Sequence, residues 1–116
     1  MTTSRIDLDQ LPAAVRDYLA AHAAHDTETA LRAFTPTAVV VDDGHTYRAP
    51  DEIRRFLSEA GSEYTYTTEL TGARHEDAVW VVTHHLEGDF PGGVVDLDYR
   101  FTLDGELVAE LVIAPS

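Results

Sequence analysis

The chain has 116 residues, 44% of them hydrophobic and 25% charged, with a formal charge of −13, which bounds it as one globular domain, residues 1–116, built on a single core. That acidity argues against nucleic acid and anionic membrane as partners, because both require a basic face, and no apolar run reaches the roughly 20 residues of a membrane span. The absence of cysteine removes disulfides, thiolate catalysis and zinc–thiolate sites together, and with no apolar leader in MTTSRIDLDQLP the expected location is cytoplasmic.

Residues 11–26 read as a first helix, with Leu11, Val15, Tyr18, Leu19 and His22 at spacings of three and four. Asp26 or Thr27 can cap a second, short helix that buries Ala30, Leu31 and Phe34. The β-branched run Val39–Val41 forms a strand closing on Asp42, and Asp43-Gly44 turns it into a second strand, His45–Arg48. Pro50, Asp51 and Glu52 open a third helix over residues 50–60, with Ile53, Phe56, Leu57 and Ala60 on one face and Gly61 beyond its end.

Past Gly61 the pattern changes to strand alternation. Glu63–Thr71, Ala78–Phe90, Val94–Leu103 and Leu107–Ala114 read as four strands, with Asp104-Gly105 a hairpin signal between the last two. In the third of these, Val95, Leu97, Tyr99, Phe101 and Leu103 share one face, and Asp96, Asp98, Arg100 and Thr102 the other. Phe90-Pro91-Gly92-Gly93 suits a type II turn, which sets Leu86 beside Leu97, His84 beside Tyr99, Val82 beside Phe101 and Trp80 beside Leu103. His84 and Tyr99 then point inward and His85 outward. The last strand is apolar on both faces, Leu107, Ala109, Leu111 and Ile113 inward against Val108 and Val112 outward. That outer face calls for cover, and a homodimer across it is expected. Helices followed by an antiparallel sheet make an α+β fold.

Asp42 is the first candidate for chemistry. Burying an unpaired carboxylate is costly, and a strand tip between helical elements is where a cavity can form; the competing reading is a carboxylate that accepts backbone N–H groups at the strand end. Among six histidines, His84 faces the interior and His22 lies one turn from Tyr18, so both can line a pocket. His25, His45 and His75 fall near helix ends or turns and are expected in solvent. No histidine or carboxylate set has ligand spacing, so no metal is expected. Asp43 serves the Asp-Gly turn, and Tyr64 and Tyr66 share a strand face as core or pocket wall.

The segments FTPTAVVVDDGHTYRAPDEIRRFL, EGDFPGG and DYRFTLDGELVAEL resemble the nuclear transport factor 2-like superfamily, and within it the SnoaL-like and ketosteroid-isomerase-like small proteins. The resemblance covers roughly residues 11–114. It implies a cone: three N-terminal helices packed on a strongly bent, mostly antiparallel sheet that encloses an apolar pocket for a small apolar molecule. The superfamily includes cyclases, isomerases, dehydratases, epoxide hydrolases and non-catalytic modules, so fold alone leaves activity open. Asp42 matches the strand-end carboxylate that shuttles protons in the isomerases, and Tyr18 resembles the tyrosine that donates to the oxyanion. Enolisation needs such a pair, a base for the proton α to a carbonyl and a donor for the enolate. The second acid of the isomerases falls here on Leu97.

The resemblance therefore implies a cofactor-free proton-transfer enzyme of the isomerase, cyclase or dehydratase kind. Asp42 would be the base and Tyr18 the oxyanion donor, with His84 as a second polar contact and Trp80, Tyr99, Leu97, Phe101 and His22 lining the pocket. The alternative is a non-catalytic dimeric ligand-binding domain. Epoxide hydrolysis ranks third, because its Asp-Arg-Asp relay lacks an inward arginine: Arg100 lies on the outer face.

Overall fold

A computed structural model describes residues 3–42, 44–59 and 66–116; the expectations for Asp43, Ala60, Gly61, Tyr64 and the start of the Glu63 strand lie outside the described residues. In chain order the elements are β1 (Thr3–Ile6), a 3-10 turn (Leu8–Gln10), α1 (Ala13–Ala23), α2 (Thr27–Leu31), β2 (Phe34–Asp42), β3 (His45–Arg48), α3 (Asp51–Glu59), β4 (Tyr66–Glu76), β5 (Val79–Gly88), β6 (Val94–Asp104) and β7 (Leu107–Pro115). The strands form one open sheet in the order β1-β4-β5-β6-β7-β2-β3. Every neighbouring pair is antiparallel except β2 and β7. The α+β class stands, but the helices are not one N-terminal block: β1 precedes them and β2–β3 separates α2 from α3. β1 was not expected, because its pairing partner is the distant β4, from Thr3 opposite Glu76 to Ile6 opposite Ala73.

Local chemistry sets the helix ends. The Asp26 carboxylate accepts the Thr29 N–H at 3.2 Å and the Thr29 hydroxyl at 2.7 Å, which caps α2. α1 buries Ala14, Val15, Tyr18 and Ala21, and α3 buries Ile53, Phe56 and Leu57. These side chains join Val40, Val82, Tyr99, Phe101, Leu111 and Ile113 of the sheet in one core. Each large apolar side chain so buried contributes about 1.5–3 kcal/mol. No helix among the described residues is long and apolar enough to cross a membrane.

Two registers differ from expectation. The Phe90–Gly93 turn forms, with the Gly93 N–H donating to the Phe90 carbonyl at 2.9 Å and Gly92 at φ 91°. Pairing then resumes between Gly88 and Gly93 at 2.9 Å, so Asp89 and Phe90 loop out on one side of the hairpin. The expected pairs are replaced by Leu86–Val95, His84–Leu97, Val82–Tyr99 and Trp80–Phe101. A shift of two residues keeps every side chain on its face, so His84 and Tyr99 remain inward and buried.

The β6–β7 pair carries a bulge, since Thr102 faces Glu110 while Leu103 faces Val108. Ala109 is the additional residue, and it reverses the alternation behind it. Val108 is therefore fully buried in the core, opposite to the expected outward side chain, and Leu107 is 38% exposed instead of inward. Val112 keeps its outward position, half-buried. On that outer face Arg74 pairs with Glu76 and with Asp98 at 3.0 Å, and Arg100 pairs with Glu76 at 3.1 Å. The outer face of β4 and β6 is thus ionic.

Candidate functional site

Three strands and one helix bring polar side chains to the inner face. On β2, Asp42 follows the fully buried Val40 by two residues and so shares its face at the strand end, half-buried. Ile113 of β7 is the partner of both Asp42 and Tyr99. Asp42 and Tyr99 therefore occupy one rung of the sheet, two strands apart, about 10 Å between backbones at ordinary strand spacing. His84 sits one inward position further along β5, opposite Leu97 and Leu70.

From α1, the Tyr18 ring packs at Phe101, one inward position along β6 from Tyr99. It is fully buried, edge-on to Phe34 at 5.5 Å and Phe101 at 5.6 Å, and stacked on His22 at 5.6 Å. His22 in turn lies 6.4 Å from the Tyr99 ring, which stacks on His84 at 3.8 Å. The result is an aromatic ladder Tyr18–His22–Tyr99–His84 running from helix to sheet.

Burial governs the electrostatics of that ladder. It holds the Tyr18 phenol well above the ordinary tyrosine range, with further contributions from Tyr99, Asp42 and Tyr66. Tyr99 is raised for the same main reason, then by Tyr66 and Asp42. Both phenols are thus donors at neutral pH, and Asp42 is near enough to disfavour either phenolate. His84 is pushed down to about 4 by burial, and His22 is lowered by burial and then by His25. The Tyr18 hydroxyl is fully occluded and has no hydrogen-bond partner among the described residues. An unmade bond of this kind costs about 1–3 kcal/mol, and so requires an explanation.

The remaining expected residues divide. Phe101 is fully buried against Tyr18, and Leu97 is half-buried beside His84. Trp80 lies toward the start of β5, where its ring stacks on His75 at 3.7 Å, so His75 is packed and not in solvent as expected. His25 and His45 are exposed. His85 points outward, its Nδ1 2.5 Å from Asp96 and its Nε2 2.9 Å from Glu87. Arg100 lies outward as expected, paired with Glu76. Among the described residues no three His, Asp or Glu side chains converge as metal ligands. Sequence reasoning placed Tyr66 as core or pocket wall and gave it no electrostatic role, although it contributes, after burial, to raising both inner phenols.

The family described as SnoaL-like domain matches residues 15–110. In structure, the chain is similar to a candidate polyketide cyclase from Sinorhizobium meliloti, with a TM-score of 0.85 and 29% identity over 94% of this chain and 100% of that one. A protein of ketosteroid isomerase-like fold from Catenulispora acidiphila, in complex with trimethylamine, matches with a TM-score of 0.76 at 16% identity, covering 92% of this chain and 88% of its own. TerC co-crystallised with polyporic acid matches with a TM-score of 0.74 at 16% identity, covering 89% of this chain and 88% of its own. No curated protein sequence matches the chain.

Proposed function

Since the chain belongs to the SnoaL-like domain family, we propose that its inner face is a small-molecule site for cofactor-free proton transfer, of the cyclase, isomerase or dehydratase kind. The observation that carries this reading is the occluded Tyr18 hydroxyl, without a hydrogen-bond partner among the described residues and near enough to Asp42 for that charge to help raise its pKa. A buried donor without a protein partner is matched by a ligand oxygen, and most strongly when that oxygen becomes negative. Asp42 takes the proton α to the ligand carbonyl. Tyr99, also held protonated, is a second donor where the isomerases use an acid and this chain has Leu97. His84 is a further polar contact, His22 and Leu97 line the apolar wall, and Phe101 and Trp80 back it.

The likeness to a candidate polyketide cyclase at 29% identity supports a cyclase-like activity. Binding without turnover is the second reading, favoured by Leu97 at the position of the missing acid. A homodimer through the outer sheet face and a cytoplasmic location belong to the same proposal; half-buried Val79 and Val112 on that face support the former. Asp42→Asn tests the catalytic reading: turnover is lost while ligand affinity and melting temperature are kept, whereas a structural Asp42 would lower the melting temperature.

A further inference from the structure

We infer that His84 is a recognition residue whose Nε2 accepts a hydrogen bond from the ligand, so that the substrate is an enol or phenol presenting an O–H beside Tyr99. The inference rests on the reading of the inner face as a ligand site. It begins with a contact of limited chemistry: His84 Nδ1 lies 3.3 Å from the Val82 carbonyl oxygen. A carbonyl oxygen only accepts, so Nδ1 carries the proton in that bond. The imidazole is 3% exposed, and burial pushes its pKa down to about 4. At neutral pH it is therefore neutral, with one N–H, and that one is already committed to Val82. Nε2, not engaged by the Val82 contact, keeps its lone pair for a further donor.

Stacking on Tyr99, with ring planes 22° apart, fixes the direction of this lone pair. A carboxylate or a bare carbonyl brought to Nε2 meets lone pair with lone pair and is rejected, whereas a hydroxyl is bound. With so low a pKa the ring is a poor proton carrier, and its part is to read the ligand while Asp42 moves the proton. The site then offers acceptors at Asp42 and His84 and donors at Tyr18 and Tyr99. That set matches a planar molecule carrying both a carbonyl and a neighbouring hydroxyl.

Two measurements test this without any turnover. In the free protein, 15N NMR of His84 near neutral pH should find the proton on Nδ1; a proton on Nε2, or an imidazolium, would overturn the inference. The second compares 2-naphthol with 2-fluoronaphthalene, which has nearly the same shape and no donor. Wild type should prefer 2-naphthol by about tenfold, and His84→Phe, which keeps a ring on Tyr99, should reduce that preference to within about twofold. Equal affinities in wild type, a preference that survives in His84→Phe, or no binding of either compound would overturn it. If His84→Phe does not fold, the tautomer in wild type still decides. Failure of the catalytic reading registers separately, as an Asp42→Asn variant indistinguishable from wild type in proton transfer.

Discussion

The His84 imidazole lies against the face of the Tyr99 ring, centroids 3.8 Å apart, although the two residues are not direct strand partners: His84 faces Leu97 and Tyr99 faces Val82. The diagonal contact closes the sheet end of the aromatic ladder, whose other end is the occluded hydroxyl of Tyr18.

That hydroxyl gives a prediction of opposite signs. Tyr18→Phe removes a buried hydroxyl that has no hydrogen-bond partner among the described residues, so stability by urea unfolding should be unchanged or rise by about 1 kcal/mol. The same change should slow turnover by about a hundredfold or more, the usual loss for one oxyanion donor. A loss of stability with unchanged turnover would mean that the hydroxyl is structural.

Stability should fall on mild acidification. The folded pKa of His84, about 4, lies below its ordinary 6.5, so between these values the unfolded chain binds a proton that the folded chain refuses. The sign is that of a depressed base: the contribution is neutral above 6.5 and destabilising as pH drops toward 4. From near pH 7 to pH 5 the expected loss is about 2 kcal/mol. His22, also lowered, adds to it. His85, raised by Asp96 and then Glu87, acts oppositely: its contribution is present below 6.5 and lost as pH rises through its folded value. Urea unfolding at both pH values checks this, and His84→Phe should flatten the dependence.

The β7 bulge is open to a paired comparison. Val108→Ala should destabilise by about 1–3 kcal/mol, because it empties space in the core, while Leu107→Ala stays within about 0.5 kcal/mol. The uninterrupted alternation read from the sequence would give the reverse order, and thermal unfolding of the two variants distinguishes them.

Much of the fold was legible because its signals are local. Asp26 caps α2 through its own neighbour Thr29, β3 spans His45–Arg48 as its turn signal implied, and the Val95–Leu103 alternation places Tyr99 and Phe101 inward. What escaped was non-local. The partner of β1 is β4, and the partner of β2 is the parallel β7, each set by the assembled sheet. A bulge at Ala109 leaves no mark in composition, yet it exchanges Leu107 for Val108 in the core. For the site, Asp42 and Tyr18 were visible as residues, but the packing that occludes Tyr18 comes from Phe34 and Phe101, far away in sequence.

A homodimer is expected through the outer sheet face, where Val112 stands next to Arg100 and Val81 lies buried beneath the ion pairs. Sedimentation at micromolar concentration should give twice the monomer mass, and Val112→Arg should give monomers with ligand affinity retained. A monomeric wild type would refute the dimer.

Asp42 as a base beside Tyr18 is tested most directly by carbon-acid exchange. With 2-tetralone in D2O, wild type should accelerate deuterium uptake at the carbon next to the carbonyl about a hundredfold or more over buffer. Asp42→Asn should return the rate to that of buffer while binding 2-tetralone with unchanged affinity. Exchange at the buffer rate in wild type, or equally fast exchange in Asp42→Asn, would contradict proton transfer at this site.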